Sequence, residues 1–268
     1  MMRALWTAGS GMIAQQLNVD VISNNLSNVN TTGYKKSRAE FKDLLYETIK
    51  RPNLYEEGYG NPVGIQVGHG VRPSAITKLY SQGNLQQTGN PFDLAIEGEG
   101  FFMVEMPDGS RAYTRDGTFK LSVTDFDRTL VTSEGNYVLS ADEDMIIIPE
   151  GLTEISIAED GTITGLNEDG EIEEIGRIAL VKFANPAGLE NIGKNLLKVT
   201  SASGEPQLKE DLDQPGYGTI LQGYVEMSNV QVVEEMVNLI TAQRAYEINT
   251  KAIKTADEML GEANNLRR

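Results

Sequence analysis

The chain has 268 residues and a mass of 29.4 kDa, enough for one large or two modest domains. With 39 Asp and Glu against 23 Lys and Arg its formal net charge is −16, which argues against a broad basic grip on nucleic-acid phosphates and against a polybasic membrane binder. It has no cysteine and a single histidine, so disulfides, thiolate metal sites, Cys nucleophiles and any constellation of two imidazoles are excluded.

Charge and glycine divide the chain into three. Residues 1–51 carry a net +3, residues 52–223 carry −17 and residues 224–268 carry −2. The same three segments hold 3, 23 and 1 glycines. Arg3 and Asp20 are the only charges in the first 34 residues, although a surface helix normally keeps a charged face toward water. Leu5, Met12, Val19 and Leu26 repeat every seven residues, with Ala8, Ile22 and Val29 three positions further on. The polar flank consists of amides and hydroxyls, among them Gln15, Gln16, Asn18, Asn24, Asn25 and Asn28. This pattern predicts a helix buried among other helices, though a plain amphipathic core helix would produce the same stripe. Arg3 before Ala4-Leu5-Trp6 imitates a signal peptide, but Thr7, Gly9 and Ser10 break the apolar run and no cleavage site follows. No apolar run approaches the roughly 20 residues of a membrane-spanning helix.

Residues 52–72 are turn-rich with little apolar pattern (Pro52, Gly58, Gly60, Pro62, Gly64, Gly68, Gly70), which predicts an extended connector within 43–74. From 75 to 222 the pattern changes to short strands. Phe101–Val104, Ala112–Thr114, Phe119–Leu121, Met145–Ile148 and Ile178–Val181 are separated by Asp108-Gly109, Asp116-Gly117, Glu134-Gly135 and Asp160-Gly161 turns. Spacing of this kind predicts an antiparallel meander, sandwich or barrel rather than βαβ units.

The motifs that carry chemistry are missing from this region. Asn167-Glu168-Asp169-Gly170 lacks the acids an EF-hand needs, because 165 and 176 are both Gly. Gly98-Glu99-Gly100 runs into a strand without the third dinucleotide-binding glycine, and Gly9-Ser10-Gly11 is not a nucleophile elbow. His69 lies between two glycines, and Asp142-Glu143-Asp144 reads as a solvated acidic loop. The sequence offers no catalytic, cofactor or metal site, and so does not support an enzyme.

The last segment, 223–268, opens with a helix start. Ser228 with Gln231 fits a capping box and Met227 with Val232 a hydrophobic staple. Leu239, Tyr246, Ile253 and Leu260 repeat every seven residues, with Met236, Gln243 and Thr250 as the expected partner seam. A helix of roughly 35 residues spans about 50 Å, longer than a globular domain of this size needs. The fold class is therefore α+β, with long N- and C-terminal helices paired as a coiled-coil-like layer around a β-rich antiparallel middle. The expected division is 1–42, 43–74, 75–222 and 223–268.

Four stretches in order resemble the bacterial flagellar rod and hook protein family: Asn24-Asn25-Leu26-Ser27-Asn28-Val29-Asn30-Thr31-Thr32-Gly33-Tyr34-Lys35, Asp93–Phe102, Tyr113–Phe119, and Gly223–Val230 continuing to Gln243–Glu247. Within that family Asp43–Ile49 and Gly64–Pro73 are similar to the distal-rod type of connector, with the proximal-rod and hook subunits as alternatives. Tyr34 stands where many relatives have Phe. The resemblance implies a structural subunit of a helical tube that transmits torque from motor to hook and passes exported subunits. It implies self-association and contacts with proximal-rod proteins, hook or hook-junction subunits, surrounding ring proteins and the type III export apparatus. It also implies a place in the basal body reached without a cleaved signal, and no nucleic acid or membrane insertion. Apolar stripes without enough partners in one chain point to subunit contacts at Leu5, Met12, Val19, Ile22, Leu26, Met236, Leu239, Tyr246, Ile253 and Leu260. Asn24, Asn25, Asn28, Gly33 and Tyr34 would shape the turn after the first helix. Leu44, Tyr46, Ile65, Val67 and Val71 would make the connector's contacts. A reading of a different class is a secreted β-domain adhesin whose helices form only an oligomeric stalk.

Overall fold

The structure, a computed structural model, describes residues 2–52, 63–123, 128–149, 151–152, 154–167, 171–209 and 216–265. Gly58, Gly60 and Pro62 of the connector and the turn expected at Glu168-Asp169-Gly170 lie outside the described residues. The chain folds as two units. The first comprises Met1–Ser27, Ser37–Lys78 and Gln231–Arg268; the second comprises Asn28–Lys36 and Leu79–Val230.

The first unit is built on α1 (Met2–Ser27) and α2 (Val232–Asn265) with four strands: β1 (Ser37–Asp43), β2 (Tyr46–Lys50), β3 (Ile65–Gly68) and β4 (Val71–Lys78). The helices run antiparallel. Asn25 bonds to Glu235 near one end, and Gly11 lies against Asn249 while the Thr250 hydroxyl points at Met12 Sδ near the other. On α2 the buried positions are Glu235, Ala242 and Ala256, in step with Asn249 at every seventh residue. The seam beside Leu239, Tyr246, Ile253 and Leu260 is thus one residue away from the expected Met236-Gln243-Thr250. Small side chains at Ala242 and Ala256 suit close packing there, while Glu235 holds its place by bonding Asn25, and Asn249 by lying against Gly11. Helix α1 uses a second face as well. Ala14 and Val21 share the phase of Ser10, whose hydroxyl accepts the Val71 N–H of β4.

The start of α2 differs from the expected capping box. Its first i−4 bond runs from Glu235 N–H to the Gln231 carbonyl, so Gln231 is the cap and the helix starts at Val232. The Ser228 hydroxyl instead accepts the Val230 N–H two residues on, a local turn that competes with helix.

Among the described residues, the four strands of this unit form two antiparallel pairs. Strands β1 and β4 pair from Ser37 opposite Lys78 to Asp43 opposite Val71, and β2 and β3 pair from Tyr46 opposite Gly68 to Lys50 opposite Ile65.

The second unit carries β5 (Leu85–Gln87), β6 (Leu94–Glu97), β7 (Phe101–Glu105), β8 (Arg111–Thr114), β9 (Phe119–Val123), β10 (Arg128–Thr132) and β11 (Tyr137–Val138). After these come β12 (Ile147–Ile148), β13 (Glu154–Ile157), β14 (Thr162–Leu166), β15 (Ile172–Arg177), β16 (Leu180–Lys182) and β17 (Glu190–Gly193). The series ends with β18 (Leu196–Lys198), β19 (Gln207–Leu208), β20 (Thr219–Gln222) and β21 (Tyr224–Glu226). Among the described residues the main sheet runs β12-β10-β11-β7-β8-β18-β17, with β16 also on β7, and β13-β14-β15 form a separate meander. Late strands return to early ones: β20 pairs with β6 and β21 with β5.

Strand β7 is buried on both faces, which explains its unbroken apolar run. Phe102 and Val104 join Leu94, Ile96, Phe119 and Ile178 in one cluster, while Phe101 and Met103 join Tyr113, Val181 and Phe183 in the other. The period of two along a strand sends alternate residues to opposite sides. Edge-on ring pairs, Phe102 with Phe119 at 5.1 Å and Tyr113 with Phe183 at 4.9 Å, fill the two cores. Between β7 and β8 the Asp108-Gly109 turn closes as expected, with Gly109 at φ +78° and the Asp108 carboxylate accepting the Ser110 N–H.

Candidate assembly surface

Both long helices keep an apolar face that nothing among the described residues covers. On α1 this third face carries Met2, Trp6 and Ile13, with Trp6 75% exposed. On α2, Val233, Val237, Ile240 and Ile248 are exposed, and their helical phase is opposite to the buried alanines. Among the expected contact residues, Ile22 is buried within the first unit, and Leu5, Met12, Val19, Leu26, Leu239, Ile253 and Leu260 are half-buried. Met236 and Tyr246 are exposed. A shallow groove on the helix pair is lined by Gln16, Val19, Gln243, Tyr246 and Glu247. A more apolar one runs along Leu5, Trp6, Gly9, Ile13 and Leu44. The expected connector residues behave alike: Tyr46, Ile65 and Val67 are exposed, and Leu44 and Val71 are half-buried. Every residue of β2 is exposed, so the ribbon carries apolar side chains into solvent.

Behind the helical faces sits a polar clamp. Asn25, 1% exposed, pairs with the backbone of Ser37 as a strand would: Nδ2 donates to its carbonyl at 2.8 Å and Oδ1 accepts its N–H at 2.9 Å. The same Nδ2 donates to Glu235 Oε2 at 3.0 Å, and Glu235 is equally buried. One amide thus fixes the end of α1, the return of the chain into β1 and the start of α2. In the second unit the other turn residues follow the helix. Gly33 stands at φ +67°, where a Cβ would meet Asp116 N at 2.6 Å, so only glycine fits. The Asn28 side chain accepts the Thr31 hydroxyl, Tyr34 is buried, and Asn24 of the first unit is exposed.

The second unit has its own buried charge cluster. Lys35 Nζ lies 2.6 Å from Glu226 Oε1, which also accepts the Gly83 N–H. Arg115 Nη1 is 3.5 Å from Glu226 Oε2, and its guanidinium bonds the carbonyls of Ile96 and Gly98 and lies over the Phe101 ring. Two cations therefore share one carboxylate in a site shut off from water. Burial pushes both cations below their ordinary pKa while the Glu226 charge works against the shift. Lys35 and Glu226 lie in the short segments just before the chain crosses to β1 and toward α2.

Tyr80, stacked edge-on against Phe101, lines a groove with Glu99, Arg115, Lys182 and Phe183. Burial raises its hydroxyl to about 12, against the opposing pull of Arg115. An unfolded tyrosine titrates near 10, so between about pH 10 and 12 the unfolded chain loses this proton first and stability falls as pH rises. Lys35, held low, works in the opposite direction. Denaturant titrations at both ends of that window are expected to show a smaller loss for Tyr80→Phe than for the unaltered chain.

His69 stands 4.0 Å from Glu47 on the exposed ribbon, and Glu143 of the acidic loop pairs with Arg111. Among the described residues no three His, Cys, Asp or Glu side chains converge, and no helix is long and apolar enough to cross a membrane. Sequence reasoning missed Trp6 and Ile13 as open-face residues, and Glu235, Glu226 and Arg115 as buried charges. The available signal was an acid inside an apolar strand, Val225-Glu226-Met227.

Three family models match the chain: "Flagella basal body rod protein" over 5–35, "Flagellar hook protein FlgE/F/G D1 domain" over 95–165, and "Flagellar basal body rod FlgEFG protein C-terminal" over 221–266. The flagellar basal-body rod protein FlgG of Borreliella burgdorferi is 51% identical, covering 100% of both chains. That of Caulobacter vibrioides is 45% identical over 99% of this chain and 100% of its own. A crystal structure of the Helicobacter pylori flagellar hook protein FlgE2 is similar at 18% identity and a TM-score of 0.26, covering 62% of this chain and 47% of that one.

Proposed function

Because this chain belongs to the flagellar basal-body rod protein family, we propose that its copies polymerise into the helical tube of the distal rod, with α1 and α2 forming the subunit contacts. It is a structural subunit of the basal body. The observation that carries the assembly reading is the set of apolar faces left open on α1, α2 and the connector ribbon. Solvent-exposed apolar area of this extent is a feature of association surfaces. The near absence of charge in α1 suits a helix surrounded by neighbours on several sides. The acidic β-rich middle would then face outward, and the connector would touch neighbouring subunits and stiffen the tube that carries torque. The proposed division remains 1–42, 43–74, 75–222 and 223–268, with the first and last segments forming the inner layer. By family, the proposed neighbours are proximal-rod and hook-side subunits and the surrounding rings, and the proposed route is type III export without a cleaved signal. Full-length relatives that are rod proteins do not favour the hook or adhesin alternatives.

Electron microscopy of the purified protein at rising concentration tests this reading. Open tubes of uniform diameter are expected; a closed oligomer or a persistent monomer would overturn it. Limited proteolysis gives a second measure. The two terminal helices are expected to be cut rapidly in dilute monomer and to become protected on assembly.

A further inference from the structure

We propose that the contact between copies is heterologous and specific in its faces: the notch around Gly9 on α1 of one copy receives the outer stripe of α2 from a second copy. This rests on the self-assembly reading above and adds which surfaces meet.

The two glycines near the middle of α1 differ in a telling way. At Gly11 a Cβ would lie 2.9 Å from Asn249 Nδ2, so close packing within the pair accounts for the missing side chain. At Gly9 a Cβ would meet nothing within 4 Å, and Gly9 has no left-handed backbone to justify it. A glycine in a helix interior is unfavourable relative to alanine, so its place calls for a reason that the single chain does not supply. Gly9 lies between Trp6 and Ile13, three residues before and four after, on the open face of α1. The result is a notch walled by two large exposed side chains and floored by bare backbone, a shape that accepts another helix at short range.

A matching ridge is on the same chain. Val233, Val237 and Ile240 follow the i, i+4, i+7 spacing and are all exposed, on the side of α2 turned away from α1. No charged residue lies between Arg3 and Asp20 on the receiving helix, so an apolar ridge buries no ionised side chain there. Antiparallel pairing puts notch and ridge at opposite ends of the helix pair, about 20 Å apart along it. They point to different sides and cannot meet within one chain, so the occupant is a second copy. A contact between two different faces can repeat, and gives a filament where its rotation does not close on itself, whereas notch on notch would close as a dimer. With Val237 seated over Gly9, antiparallel apposition places Ile13 against Val233 and Trp6 against Ile240.

The absence of native cysteine makes the test clean. Ile13→Cys and Val233→Cys subunits are prepared separately, mixed, assembled and exposed to a mild oxidant. A disulfide-linked dimer is expected from the mixture and from neither variant alone; Trp6→Cys with Ile240→Cys repeats the measurement should the first pair fail to fold. Linkage of Ile13→Cys to itself, or tubes that form without mixed linkage, would overturn the pairing while leaving self-assembly in place. An unaltered chain that forms no tubes would overturn both. Gly9→Leu is expected to keep monomer helicity by circular dichroism while raising the concentration needed for assembly at least tenfold; unchanged assembly would count against the notch.

Discussion

Replacing Glu226 with alanine is expected to destabilise the second unit by about 3–5 kcal/mol, because it strands Lys35 and Arg115 as uncompensated buried charges. Glu226 also accepts the Gly83 N–H, and that donor would be left unmet as well. A conservative Glu226→Gln keeps the shape and an acceptor but loses the charge, so most of the penalty is expected to remain. The double variant Lys35→Met, Glu226→Met is expected to recover a large part of the loss. It removes one cation with the carboxylate, and Arg115 keeps the Ile96 and Gly98 carbonyls and the Phe101 ring. Denaturant unfolding of the unaltered chain, Lys35→Met, Glu226→Met and the double variant closes a double-mutant cycle. A Glu226→Ala chain with an unchanged midpoint would show that the cluster contributes nothing.

Asn25→Ala is expected to cost the first unit about 3 kcal/mol and to prevent assembly at concentrations where the unaltered chain forms tubes. The substitution removes both bonds to the Ser37 backbone and the charge-assisted bond to Glu235, leaving a buried carboxylate without that donor. Asn25→Asp is nearly the same size, yet it sets a second acidic oxygen against Glu235 and is expected to be at least as damaging. Glu235→Gln keeps an acceptor for the Asn25 amide and should cost only about 1 kcal/mol. Hydrogen exchange gives the local readout: amides in the first turns of α2 and in β1 are expected to lose protection together in Asn25→Ala. Loss confined to α1 would mean that the amide does not link the three segments.

The amphipathic register of α1 was readable because seven-residue spacing is a local property. All four of Leu5, Met12, Val19 and Leu26 are half-buried, with Met12 against Thr250 and Val19 beside Gln243 and Tyr246. The partner seam on α2 was not readable. Met236, Gln243 and Thr250 match a zipper as well as Glu235, Ala242, Asn249 and Ala256 do by spacing alone. The choice between them depends on how closely the two backbones approach, which favours alanine. Ser228 misled for a related reason: its hydroxyl can cap a helix or close a turn on Val230, and the strand partner of Tyr224–Glu226 delays the helix start past it. Trp6 and Ile13 lie outside the heptad stripe, and only their exposure in the structure marks them.

The chain's own order of residues determined the two Gly-poor ends, the antiparallel character of the acidic middle, the placement of Asp-Gly turns and the family. Each of these depends on periodicity, turn chemistry or a short motif, and none needs a distant partner. The tertiary structure alone decided that Asn25 meets Glu235, 210 positions away, and that Lys35 meets Glu226, 191 away. It also decided which side of each helix stays open. Pairing across such distances is set by packing two helices and returning β21 to β5, and no local pattern records which charge will be shut in with which.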